Sequence, residues 1–212
     1  MATALRSLCS APKREKPIFR NPARRVSLTT ARALPKPLPE DQLRGTLQRL
    51  ATVRDRLSFL LAAVHALGTH DQRGPLLHDL DLSRATLVVH RERRLDHTLY
   101  LDELTFHHAT LWLAQRHRRW PTSTNPYLLV TAHTAVDDTD PQISTKAINK
   151  PLRRAGLQAG RLRMDRILDE AKHTGDPVHL IRLFGLSPHT AMQYLRAAHP
   201  GRHPRLPAAM NL

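Results

Sequence analysis

The sequence predicts an α+β domain that is mainly helical and carries a small antiparallel sheet. Three observations predict it. Apolar residues recur at helical spacing through most of positions 40–200, two short β-like runs stand near 86–101, and both flanks are proline-rich without apolar period. A chain of 212 residues suits one full domain plus arms. A domain of this size hides roughly 70% of the surface its unfolded chain exposes, so it can bury a real core.

Positions 1–39 hold nine Lys and Arg against one acid, Glu15, with repeated prolines, the composition of a basic arm or linker. The pattern changes at Glu40. Pro39-Glu40-Asp41 followed by Leu43, Leu47 and Leu50 reads as a helix start with acids in its first turn. A second helix over 54–67 carries the stripe Leu57, Leu60, Leu61, Val64 and Leu67, broken by Gly68 and Gly74-Pro75. The runs 86–91 and 97–101 predict a hairpin around a polar turn. Asp102 suits the N-cap of a helix that ends before Pro121 and closes on the cations Arg116, Arg118 and Arg119. Positions 127–130 read as a possible strand, and 137–140 as an acidic loop. Helices are expected over 144–155, 161–173 and 177–198, the last broken between Gly185 and Pro188. The folded domain is therefore placed at 40–200, with 201–212 a disordered tail.

Charge narrows the function. Lys and Arg total 33 against 18 Asp and Glu, a net +15 with His neutral. Nucleic-acid phosphate and anionic membrane are the two natural partners for such an excess. The longest apolar stretch, 57–67, is interrupted by His65 and falls short of the ~20 residues that span a bilayer. The first residues contain no uninterrupted apolar core of signal-peptide length. DNA as partner, no membrane, and a cytoplasmic location are expected. The single cysteine, Cys9, makes neither an intramolecular disulfide nor a cysteine-based zinc site. The fourteen histidines are scattered, and the tightest pair, His107 and His108, is adjacent rather than spaced for one helix face. No metal or other cofactor is expected.

The order of elements resembles the catalytic domain of the tyrosine recombinases, the phage-integrase family, over about 21–200. Asn21-Pro22 is similar to the family's interdomain junction, and Leu38-Pro39-Glu40-Asp41 to its opening helix. His78-Asp79-Leu80-Asp81-Leu82 and the hairpin after it resemble its small sheet. Leu162-Arg163, Leu183-Phe184-Gly185-Leu186 and Tyr194-Leu195 resemble its final motifs. The resemblance implies a tyrosine that attacks a DNA phosphodiester, with two arginines, a lysine and two His/Trp-type residues stabilising the charged transition state. It implies DNA as substrate, sister protomers as partners and no cofactor.

Carried over residue by residue, the pattern is only partly kept. Tyr194 stands at the nucleophile's place, slightly early, and Arg163 matches the second arginine. The first arginine falls on Gly68, the hairpin lysine near Glu92, and the two histidines on Gly160 and Leu186. Losing one charge-stabilising donor costs ~10²–10³ in rate. A truncated relative with a degenerate active site, lacking the family's N-terminal DNA-clamping domain, is therefore expected.

Simpler roles stand beside these. Tyr194 reads equally as a buried structural tyrosine, and Arg163 as a solvated or phosphate-contacting cation. Arg91, Arg93 and Arg94 read as turn residues or phosphate contacts. With Arg161, Arg166, Arg182, His189 and Arg196 they make up the candidate DNA-binding set. Trp112 and Trp120 read as core and helix-end packing. A second pattern covers 180–195: an apolar helix, a Phe-Gly-Leu-Ser turn and another helix resemble a helix-turn-helix, with His189, Thr190, Gln193 and Arg196 facing the major groove. That reading gives a DNA-binding regulator without catalysis.

Overall fold

The computed structural model describes residues 38, 43–92 and 95–200. The rest of the arm at 1–39, the helix start at 39–41, Arg93, Arg94 and the tail at 201–212 lie outside the described residues.

Within them the order is α1 (Thr46–Arg49), α2 (Val53–Ala63), α3 (Thr69–Arg73), a 3₁₀ turn (Leu77–Asp79), β1 (Leu80–Asp81), β2 (Thr86–Val89), β3 (His97–Tyr100), α4 (Glu103–Arg119), α5 (Thr145–Arg154), α6 (Ala159–His173), α7 (Pro177–Phe184) and α8 (Pro188–Ala198). The expected mix of helices with a small antiparallel sheet is what forms.

Helix α2 is central. Thr52 caps it by accepting from the Asp55 amide, and Leu57 to Ala62 are all buried. Leu57 and Leu61 enter the core shared with the sheet, Trp112 and Ile143. Phe59, Leu60 and Ala62 enter a second core with Leu152 and Leu162. A helix that buries more than one side this way belongs in the middle of a domain. It stops at Ala63, short of the expected Leu67. Ala66 takes a positive φ of 51°, so Leu67 reaches the core from a turn. Before α2, Gly45 at φ 67° separates helical Leu43 from the single turn α1.

The hairpin pairs antiparallel as expected, Leu87 opposite Leu99 and Val89 opposite His97. Strand β1 adds on the other edge of β2, Leu80 opposite Leu87. Burial on β3 alternates, His97 and Leu99 in, Thr98 and Tyr100 out, as the two-residue strand period requires. Asp102 caps α4 by accepting from the Leu104 and Thr105 amides. Trp112 is core and donates its Nε1–H to the Leu128 carbonyl at 2.8 Å, and Trp120 packs edge-on against it.

Positions 127–130 are not a strand. Their one ladder contact is an isolated bridge from Tyr127 to Leu76. Leu128, Leu129 and Val130 are all buried, without the alternation of a half-exposed strand. Side chains satisfy the neighbouring backbone instead: Asn125 donates to the Thr134 and Pro141 carbonyls, and buried Arg116 to that of Asn125.

Three of the last four helices begin with local signals. Ser144, Asp176 and Ser187 cap α5, α7 and α8, and proline opens α7 and α8. Gly185, at φ 58°, turns the chain between α7 and α8. No described helix is long and apolar enough to cross a membrane.

Asp102 also meets His65 Nε2 at 3.1 Å. Asp102→Ala should therefore lower stability by about 1–2 kcal/mol, a drop of a few degrees in thermal melting. A melt indistinguishable from the wild type would contradict the capping role.

Candidate functional site

Three segments distant in sequence meet beside the sheet: the turn after α2 with the start of α3, the hairpin ends, and the α7–α8 turn. Arg91, two residues past β2, joins them. Its side chain is only 5% exposed. Nη1 donates to the Gly185 carbonyl at 2.8 Å. Nη2 lies 3.1 Å from Asp71 Oδ2, close enough for an ion pair but not aligned as a hydrogen bond. Arg91 Nε and Nη2 and His97 Nε2 are buried without a hydrogen-bond partner among the described residues.

Gly185 is required here twice over. Its φ of 58° is left-handed, and a Cβ would overlap Arg91 Nη1 and stand 3.1 Å from His97 Cγ. Gly68 differs: a Cβ there would meet nothing nearer than Asp71 Oδ2 at 3.9 Å and Arg163 Cδ at 4.0 Å. Arg163 donates to the Ala66 carbonyl. A methyl at Gly68 would thus make ordinary contacts with Asp71 and Arg163, and Asp71 in turn reaches Arg91. Burial is the first cause that holds the His97 pKa below its ordinary 6.5, followed by the Arg91 charge; Arg163 also lowers it, while a Leu183 backbone hydrogen bond and Asp71 oppose.

The other positions singled out from sequence are dispersed. Leu186 and Tyr194 are buried in one apolar cluster with Phe184 and Ala66. Ala66 accepts from Arg163, so a single turn links Arg163 to Tyr194's cluster. Glu92 is exposed. Gly160 opens onto a separate polar cleft of about 510 Å³ lined by Thr69, Lys146, Asn149 and Arg153. Arg161, Arg182, His189 and Arg196 are exposed. Arg166 is tied inward: it bonds the Val64 carbonyl, pairs with Glu170 at 2.8 Å and lies over the Phe184 ring. Glu170 also meets His179 at 2.8 Å, and that hydrogen bond leads the causes that lower its carboxyl pKa.

Sequence reasoning missed Asp71, His97 and a face of α5. Asp71 and His97 acquire meaning only through tertiary contact with Arg91. The α5 signal was legible: Ile148 and Leu152 bury one side at i,i+4 spacing while Lys146, Lys150, Arg153 and Arg154 stay exposed.

Two predictions follow from the packing and the histidines. Gly185→Ala should destabilise by roughly 1–3 kcal/mol, whereas Gly68→Ala should be nearly neutral; equal effects in denaturant titrations would contradict the geometry. His97 and His65 are both held below 6.5, burial being the first cause in each. Below that pH the unfolded chain takes up protons that the fold resists, so stability falls as pH drops. His97→Gln should flatten the decline, since exposed His90, whose pKa is raised by Asp79 and Asp96, acts in the opposite sense in both proteins. An unaltered slope would contradict the buried neutral imidazole.

Neither protein-family models nor curated proteins match the sequence. Solved structures do. The chain is similar to XerA recombinase, with TM-score 0.63 and 18% identity, covering 82% of this chain and 67% of that one. It is similar to XerH site-specific recombinase bound to palindromic difH substrate, with TM-score 0.63, 16% identity and coverage of 84% and 55%. A lambda integrase dimer bound to a COC′ core site matches with TM-score 0.61, 14% identity and coverage of 98% and 61%. The chain therefore spans about half to two thirds of the length of these recombinases. Its fold is that of a tyrosine recombinase catalytic domain.

Proposed function

We propose that this chain is a DNA-binding, integrase-like protein of the cytoplasm, related to enzymes that cut and rejoin DNA through a phosphotyrosine, and that its own cleavage is impaired. The observation that carries the reading is a recombinase catalytic fold whose α5 to α8 segment leaves Lys146, Lys150, Arg153, Arg154, Arg161, Arg182 and Arg196 exposed. Exposed cations in this number suit a phosphate backbone.

Impairment rests on local chemistry. Gly68 offers no donor, Leu186 is apolar and buried, and Glu92 brings a negative charge to the hairpin. Tyr194 is 9% exposed among apolar neighbours. Each absent donor is worth ~10²–10³ in rate, and combined losses fall short of their product without being small. DNA and sister protomers are the partners, with Arg163 and Tyr194 remnants of the reacting centre.

The helix-turn-helix reading has its own support. Gly185 joins two capped helices, and His189 and Arg196 on the second are exposed. It assigns the protein to gene regulation and requires strong sequence preference.

Duplex DNA binding should weaken steeply with salt, with a log–log slope of about −0.9 per phosphate neutralised. Deleting residues 1–39 should weaken it further, since that segment carries nine basic residues. Salt-insensitive binding would contradict the recombinase-like reading. Sequence preference that survives the deletion intact would favour the helix-turn-helix reading.

A further inference from the structure

One step past the last ladder pair, Val89 opposite His97, His90 faces Asp96 across the open end of the hairpin. Its Nδ1 lies 2.8 Å from Asp96 Oδ2, and its Nε2 lies 3.0 Å from Asp79 Oδ1 on the 3₁₀ turn. The two carboxylates sit in different surroundings. Asp79 is 4% exposed and its Oδ2 also accepts from the Leu76 amide at 2.7 Å, whereas Asp96 is 56% exposed. His78 shares Asp79, with Nε2 at 3.6 Å from the same Oδ1. Arg91, next in the chain, turns inward to Asp71 and the Gly185 carbonyl, and Glu92 is exposed.

Hydrogen-bond chemistry fixes the charge of the ring in this arrangement. An ionised carboxylate only accepts, and a neutral imidazole has a single N–H to give. Both contacts are therefore hydrogen bonds only when the ring carries both protons. Once one proton is lost, a bare ring nitrogen faces a carboxylate oxygen, and one contact has to open. Buried Asp79 would be left short of a donor, which is destabilising, while exposed Asp96 can turn to water.

We propose that His90 is a proton-operated clasp, which ties both arms of the hairpin to the 3₁₀ turn when protonated and releases Asp96 when neutral. The release leaves Val89 opposite His97 as the last cross-strand pair, so the start of β3 loosens. Asp79 first, and Asp96 after it, raise the His90 pKa above its ordinary 6.5. The clasp is accordingly closed below 6.5 and opens as the pH rises through the raised value. It acts whether or not the chain binds DNA.

The test is NMR of the full chain, without DNA, titrated across this range. The His90 ring is assigned by its loss in His90→Gln, and Asp96 is followed through its carboxyl and amide signals. His90 should carry both ring protons below pH 6.5 and titrate above it, with the Asp96 signals following at the same midpoint. Asp96→Asn, at an exposed position, should lower that midpoint, because one of the two carboxylates that raise it is gone. His90→Gln should abolish the Asp96 response. A ring that titrates at or below 6.5 overturns the proposal, as do Asp96 signals that do not follow the ring. An undiminished Asp96 response in a folded His90→Gln overturns it equally. Hydrogen exchange of the Val89 and His97 amides, corrected for its intrinsic pH dependence, gives a second readout. It should quicken several-fold across the midpoint in the wild type and stay level in Asp96→Asn; equal protection on both sides in the wild type refutes the clasp.

Discussion

The structure depends on burying α2 in two cores at once. Leu57 and Leu61 serve the sheet side, and Phe59, Leu60 and Ala62 serve the side formed by α5 and α6. A helix so enclosed cannot run on into solvent, and it turns sharply at Ala66. The turn leaves carbonyls that need donors, because a buried acceptor without one is destabilising. Arg166 donates to Val64 and Arg163 to Ala66. Two arginines of α6 are thus drawn to the end of α2 by its geometry, and the same turn delivers Gly68 and the start of α3 beside them.

From there the charge arrangement follows. Asp71, on α3, lies within ion-pair distance of Arg91, whose guanidinium rests on the Gly185 carbonyl and ties the hairpin to the α7–α8 turn. The contact is possible only because position 185 has no side chain. The positive charge of the chain therefore divides into two populations. Arg91, Arg163 and Arg166 are bound into the fold, whereas Arg161, Arg182, Arg196 and the cations of α5 face outward. The outward set faces solvent, where it adds to the long-range field of the protein; the inward set is committed to carbonyls within the fold.

Much of the fold was legible because local signals and long-range packing agreed. The Asp102 cap, the β-branched hairpin and the Gly185 break each carry their structural meaning within a few residues. Where sequence reasoning failed, a tertiary contact had overridden the local pattern. Leu67 fits a helical stripe but packs from a turn, because Ala66 adopts a left-handed conformation that alanine does not advertise. Positions 127–130 look like a strand, yet Asn125, Thr134 and Arg116 satisfy their surroundings through side chains. At the site, Arg91 was readable as a cation but not as a buried one. Asp71 and Gly185 lie 20 and 94 positions away, and nothing in their spacing announces the contact.

The central claim is a recombinase fold that engages DNA while the reacting centre no longer cleaves it at a useful rate. Incubation with a nicked suicide DNA duplex, followed by denaturing electrophoresis, tests it most directly. The expected result is salt-sensitive binding with no appreciable covalent protein–DNA adduct, and Tyr194→Phe indistinguishable from the wild type. A stoichiometric adduct formed by the unmodified chain and abolished by Tyr194→Phe would contradict the account and identify a working recombinase.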